Sequence, residues 1–136
     1  MRRAAVPLAA GWLAVASIST AETPPREARA PSRLLVSGAE YRLTLSRPSI
    51  RRGVAVIQFL NRGEDDHDLR LRRISGPGSA RRPIARWSLT RPDGLAQRRL
   101  RLGAGRYRLW CSLPGHRTLG MQSVLKVSRE RPKRSR

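Results

Sequence analysis

The segment 107–121, YRLWCSLPGHRTLGM, decides the interpretation of this chain. It contains the only cysteine, Cys111, together with His116, one of two histidines, and Met121, the only methionine besides Met1. Cys111 ends a stretch of alternating apolar residues, and His116 and Met121 follow at steps of five, with Pro114 and Gly115 supplying a turn. A short loop with this spacing can bring three side chains around one metal ion.

The second histidine, His67, begins another alternating segment upstream. One thiolate, two imidazoles and one thioether are the ligand set of a mononuclear blue-copper site, where the soft sulfur ligands suit Cu(I) and the imidazoles accept both Cu(I) and Cu(II). Taken singly, each residue has an ordinary structural explanation, because a lone buried Cys or Met is usually core filler. All four together, with no spare His or Cys, favour one copper ion held by His67, Cys111, His116 and Met121.

Apolar residues outside the loop recur with a period of two, which predicts strands and no helix. The alternating positions are Tyr41/Leu43/Leu45, Ala55/Ile57/Phe59, His67/Leu69/Leu71, Leu100/Leu102, Tyr107/Leu109/Cys111 and Ser123/Leu125/Val127. Segments rich in Gly, Pro, Asn and Asp separate them, as turns do. Six or more short strands with one apolar face each predict an all-β antiparallel sandwich or barrel.

The same residues resemble the cupredoxins, the small blue-copper proteins that include plastocyanin, azurin and rusticyanin. The family pattern Y-x-x-x-C-x-x-P-G-H-x-x-x-G-M is matched at Tyr107, Cys111, Pro114, Gly115, His116, Gly120 and Met121. Upstream, the strand ending in Asn61-Arg62-Gly63 and the following His67 resemble the family's N-x-G turn and first histidine ligand. The resemblance implies a Greek-key β-sandwich that binds one copper ion and carries single electrons.

Two positions depart from the family pattern. Several cupredoxins have Asn directly after the first histidine, where its amide helps to tie the two ligand loops together, whereas this chain has Asp68. An ionised carboxylate accepts hydrogen bonds but cannot donate them. Because residues around the ligands orient them and tune the metal, Asp68 puts the rigidity and potential of the site in question. Ser123 also stands where a Gly is often found, a smaller difference.

The acids nearest the first histidine leave two interpretations open. Glu64, Asp65, Asp66 and Asp68 surround His67 and make up four of the nine acidic residues. They form either a solvated loop whose charges offset nearby arginines, or an acidic lip that attracts copper ions or a basic partner.

The remaining composition restricts the function. With 29 Lys+Arg against 9 Asp+Glu, the 136-residue chain has a formal charge of +20. The arginines at outward strand positions are expected to keep a small sheet protein soluble, and the few aromatic residues fall on strand positions where they pack, so we predict no nucleic-acid role. A basic nucleic-acid or membrane-surface binder with a degenerate copper site is the least favoured hypothesis.

The metal-ligand count also argues against an enzyme. A second cysteine, which a two-copper centre needs, is absent, and the neighbours of Cys111 are Trp110 and Ser112 where multicopper oxidases and copper nitrite reductases have a histidine. With both histidines at the copper, no general base remains. We therefore predict a one-electron carrier, with copper storage, delivery or resistance as the alternative. We expect a monomer whose redox partner presents an acidic docking surface.

The start of the chain predicts export. Met1, Arg2 and Arg3 precede an apolar Ala-rich stretch that ends in small residues, which is typical of a signal peptide over 1–21. A short membrane anchor or a buried helix is the alternative; with cleavage, the mature chain would have no membrane span and would be periplasmic or extracellular. A Pro-rich linker is predicted at 22–32, the cupredoxin-like domain at 33–127, and a basic disordered tail at 128–136.

Overall fold

The chain folds into β-structure throughout the part that the structure describes. This structure, a computed structural model, describes residues 29–79 and 81–129. Within those ranges there are nine strands: β1 (Ser32–Ala39), β2 (Arg42–Leu45), β3 (Ser49–Arg51), β4 (Gly53–Asn61), β5 (His67–Ser75), β6 (Ala85–Thr90), β7 (Leu95–Leu102), β8 (Gly105–Trp110) and β9 (Gln122–Ser128). The predicted all-β class is confirmed.

The strands form two sheets that pack into a sandwich. One sheet has the order β2-β1-β4-β7 and the other the order β3-β9-β8-β5-β6, so the chain crosses repeatedly between them, as in a Greek key. The pairing departs from the expected antiparallel arrangement at two places, because β1 pairs parallel with β4 and β3 parallel with β9. Both sheets are therefore mixed, since each crossover brings a later strand beside an earlier one running the same way.

The period of two explains the core. Ala55, Ile57 and Phe59 of β4 are fully buried. Leu69 and Leu71 of β5, in the other sheet, belong to the same buried core. Tyr107 is also buried, and its hydroxyl donates a hydrogen bond to the Gly103 carbonyl at 2.9 Å. These inward residues match the predicted alternation, and arginines such as Arg70 and Arg86 occupy the opposite faces of their strands.

One predicted inward residue, Tyr41, is instead 40% exposed. It lies in the turn between β1 and β2, where the two-residue alternation no longer applies. Three strands, β1, β3 and β6, lie outside the predicted alternating segments; β3 has only three residues, whereas β6 does alternate, with Ala85 and Trp87 buried and Arg86 and Ser88 exposed. In β1 the consecutive apolar residues Leu34, Leu35 and Val36 hide the period, although only Leu34 and Val36 of these three are buried.

Four strand ends meet at one end of the sandwich. β5 runs antiparallel to β8, and β8 antiparallel to β9, so the start of β5, the end of β8 and the start of β9 lie together. The connection after β1 reaches the same end, because the backbone N–H of Arg62, just before β5, donates to the Gly38 carbonyl at 2.7 Å. This end holds the predicted ligands.

The predicted signal peptide lies outside the described residues, as do most of the predicted linker and of the predicted tail. The strands themselves extend from Ser32 to Ser128. No helix in the described part of the chain is long and apolar enough to cross a membrane.

Candidate metal centre

The structure brings three predicted ligands from separate segments to one point. One donor atom from each of His67, Cys111 and His116 lies within 4.8 Å of the other two. The Cys111 Sγ is 4.0 Å from Nδ1 of His67 and 3.7 Å from Nδ1 of His116. Both imidazoles therefore present the same nitrogen, Nδ1, toward the sulfur.

His67 and Cys111 owe their positions to the larger sheet. His67 is the first residue of β5 and Cys111 follows the last residue of β8, and both are fully buried. The β5–β6 register shifts between His67 and Leu69, where β6 has one extra residue between Trp87 and Thr90, so the regular pairing is interrupted beside the first histidine.

The fourth predicted ligand, Met121, is held at the far end of the loop and is also fully buried. Its backbone N–H donates to the His116 carbonyl at 2.9 Å, and its carbonyl accepts from the Cys111 N–H at 3.1 Å. The loop between these residues turns at Gly115 and Gly120, whose φ angles of 79° and 113° suit glycine. The spacing of five and five thus closes a compact loop around the three donors.

Asp68 joins the two ligand segments, although it stands where several cupredoxins have an Asn. Its carboxylate accepts the Ser112 N–H and the Ser112 hydroxyl, both at 2.6 Å, and it pairs with Arg70 at 2.7 Å. The acceptor-only carboxylate is sufficient because Ser112, next to Cys111, supplies two donors. Since Asp68 is only 4% exposed, it belongs to this bridge, and neither the solvated loop nor the acidic lip describes it.

Asn61 organises the loop that leads into His67. Its side-chain amide donates to the carbonyls of Asp65 at 2.7 Å and Thr90 at 2.8 Å, while its Oδ1 accepts the Gly63 N–H at 2.9 Å. Asn61 is fully buried, so these bonds compensate for the loss of water. The resemblance located this turn, and the structure shows the bonds that fix it.

Two residues at the site were not predicted from the sequence. The carboxylate of Glu40 lies 3.1 Å from Nε2 of His67, and the ring of Tyr41 meets the ring of His116 edge-on, with centroids 5.1 Å apart. Both residues lie in the turn after β1, far from the ligands in sequence. The one sequence signal that could have pointed to them is an aromatic residue, Tyr41, next to an acid at a turn.

The electrostatics of the site depend on burial and on backbone donors. Burial raises the pKa of the Cys111 thiol, while the backbone N–H groups of Leu113 and Asp68 act in the opposite direction. At Glu40 the backbone N–H of Asp65 is the largest of several influences that lower the pKa of the carboxyl from 4.5 to about 2. Glu40 is therefore ionised at neutral pH, and it lies next to His67.

The donor set fits a copper ion. The two nitrogen donors and the thiolate sulfur converge from three positions, the thioether follows on the same loop, and the only free cysteine of the described residues is among them. A trigonal His₂Cys site with a weak axial Met is characteristic of blue copper. His67, Cys111, His116 and Met121 are therefore positioned to form a type 1 copper site.

Known proteins with this fold include blue-copper proteins. No protein-family model matches the sequence, and no curated protein sequence matches it. Among solved structures, reduced auracyanin from the photosynthetic bacterium Roseiflexus castenholzii is 18% identical, with a TM-score of 0.58 over 74% of this chain and 99% of that one.

Two further structures give the same result. Auracyanin A, a "blue" copper protein from Chloroflexus aurantiacus, is 19% identical with a TM-score of 0.55, over 73% of this chain and 100% of that one. Rusticyanin from Thiobacillus ferrooxidans is 16% identical with a TM-score of 0.56, over 73% and 79% of the two chains. The chain has the cupredoxin fold, and its four donors fit the blue-copper site expected of that fold.

Proposed function

We propose that this protein is a one-electron carrier that binds a single copper ion through His67, Cys111, His116 and Met121. The observation that carries the proposal is the convergence of both histidine Nδ1 atoms on the Cys111 sulfur, at 4.0 and 3.7 Å, in a fold shared with blue-copper proteins. When bound, copper would supply the Cu(II)/Cu(I) couple, and the protein would supply a fixed set of ligands.

The rigidity of the ligand frame supports electron transfer. The Glu40 carboxylate holds the His67 ring, and a backbone hydrogen bond links Cys111 to Met121. The Asp68 side chain joins the two ligand segments. A ligand geometry intermediate between those preferred by Cu(I) and Cu(II) lets the electron move with little rearrangement. A preformed, tightly held site provides that condition.

Copper storage or delivery is the second candidate. His67, Cys111 and Met121 are fully buried, and His116 is the one half-buried ligand. This enclosure favours a resident ion over one that is passed on, and the sequence has no Met-rich segment. A carrier should cycle repeatedly between its oxidised and reduced spectra without losing copper to a Cu(I) chelator, whereas a delivery protein should release the ion on reduction.

We further propose that the protein is exported and that its partner docks near His116. The basic start and apolar stretch of residues 1–21 support export. Near His116, Pro114, Arg117 and Leu119 are exposed, with Leu119 at 61%. The excess of positive charge favours a partner with an acidic surface. The mass of the protein recovered from its host would show whether the first 21 residues are removed.

A further inference from the structure

An ionised side chain outside the ligand set reaches one of the copper ligands directly. Glu40 follows the end of β1, and its Oε1 accepts hydrogen bonds from the backbone N–H groups of Glu64 and Asp65, at 2.8 and 3.0 Å. The same oxygen lies 3.1 Å from Nε2 of the buried His67. Because an ionised carboxylate can only accept, the His67 proton lies on Nε2 and the lone pair of Nδ1 faces Cys111.

The loop before His67 is shaped around this carboxylate. A Cβ atom added to Gly63 would overlap the carboxylate of Glu40. Gly63 is not among the glycines with a left-handed φ, so the residue is glycine for space and not for backbone conformation. Glycine at position 63 therefore leaves room for the Glu40 carboxylate in the position from which it contacts His67.

The charge of Glu40 is not cancelled by a basic side chain. Among the described residues, its one ion-pair partner is His67, and no arginine or lysine pairs with it. A negative charge next to a ligand stabilises the metal state of higher positive charge by Coulomb attraction, and solvent at the 31% exposed Glu40 side chain weakens this attraction without removing it.

We propose that Glu40 is a positioning residue that fixes the His67 ring for copper and lowers the reduction potential of the site. The proposal rests on the copper-binding function proposed above. The positioning comes from the Nε2 hydrogen bond, which selects the tautomer and the ring orientation, as carboxylate partners of metal-binding histidines do. The lower potential comes from the carboxylate charge, which favours Cu(II) over Cu(I).

The potential is tested with a pair of charge-matched variants of the full copper-loaded chain. Glu40→Gln removes the charge but keeps an oxygen acceptor for His67, and Glu64→Gln removes the same charge from an exposed side chain in the loop that leads into His67. Redox titration and competition with Cu(II) and Cu(I) chelators give the potential and both affinities. Removal of such a partner typically weakens metal binding about 10- to 100-fold.

We expect Glu40→Gln to weaken Cu(II) binding at least about tenfold with little change for Cu(I). A tenfold rise in the ratio of the Cu(II) dissociation constant to the Cu(I) dissociation constant raises a one-electron potential by about 59 mV. Glu64→Gln should give a much smaller rise. Equal shifts in the two variants, or no shift in Glu40→Gln, would overturn the proposed role in the potential.

A second measurement needs neither copper nor a variant that folds. Nitrogen-15 NMR of the His67 ring, in full chain prepared without metal, should show the Nε2–H tautomer as the dominant form. A dominant Nδ1–H tautomer would overturn the positioning role. Failure of the protein to bind copper would instead refute the proposed function, and it would leave the tautomer result unchanged.

Discussion

Removing the Asp68 carboxylate should destabilise the protein even when no metal is present. Asp68→Ala deletes two hydrogen bonds from Ser112, both 2.6 Å long, and leaves Arg70 without its carboxylate partner. Hydrogen bonds to a charged group contribute about 1.5–3 kcal/mol each. Ser112 and Arg70 retain partial access to water, which offsets part of the loss, so we expect the free energy of unfolding to fall by about 3 kcal/mol.

Urea unfolding of the metal-free protein, followed by tryptophan fluorescence, measures this change. For a domain of about 100 residues, a loss of about 3 kcal/mol corresponds to a fall in Tm of about 12–24 °C. Asp68→Asn keeps one acceptor oxygen and should lose less. Asp66→Ala, which removes a neighbouring acid without a comparable bridge, should stay within about 0.5 kcal/mol of the parent protein.

The comparison between the two alanine variants separates loss of the Asp68–Ser112 bridge from loss of a negative charge. Asp68→Ala and Asp66→Ala remove the same charge at positions two residues apart, so a general electrostatic effect would make them equal. A loss of less than about 1 kcal/mol in Asp68→Ala, or an equal loss in both variants, would contradict the argument that the Asp68–Ser112 bridge holds the two ligand segments together.

Three further predictions concern the axial position, the packing and the docking surface. Met121→Leu should keep copper and colour but raise the reduction potential, because loss of a weak neutral donor destabilises Cu(II) more than Cu(I); an unchanged potential in voltammetry would make Met121 a core residue only. Gly38→Ala places a Cβ 2.8 Å from the Phe59 ring and 3.2 Å from the Met121 methyl, so urea unfolding should show a loss of about 1–3 kcal/mol, and an unchanged stability would contradict this packing. The rate of electron transfer with an acidic partner, measured by stopped flow, should fall as salt screens charges over about 8 Å, whereas a salt-independent rate would indicate apolar docking around Leu119.

The sequence was sufficient for the fold class and for the residues that the structure brings together. The two-residue period depends only on which face of a strand each side chain occupies, so Ile57, Leu71 and Leu109 could be placed in the core. The spacing within 107–121 is local, and a loop of that length has few ways to arrange its donors. His67 could be assigned because it is the only other histidine in the chain, although the period alone does not say which strand lies beside Cys111.

The rest depends on contacts between distant segments. Glu40 is 27 residues from His67 and Asp68 is 44 residues from Ser112, and no local pattern encodes such pairs. The parallel pairings of β1 and β3 were missed for the same reason, because alternation gives the face of a strand but not its neighbour. The interpretations of the acidic cluster were wrong for Asp68. The donors that Asp68 accepts from belong to Ser112, and this pairing could be assigned only once the two ligand segments were seen together.

Titration of the purified metal-free protein with Cu(II) is the decisive experiment for the type 1 copper site. We expect an intense visible charge-transfer band that saturates at one copper per chain and is abolished in Cys111→Ser, because a hydroxyl cannot replace the soft thiolate. Binding without such a band, or a band that persists in Cys111→Ser, would contradict the assignment of a type 1 copper site.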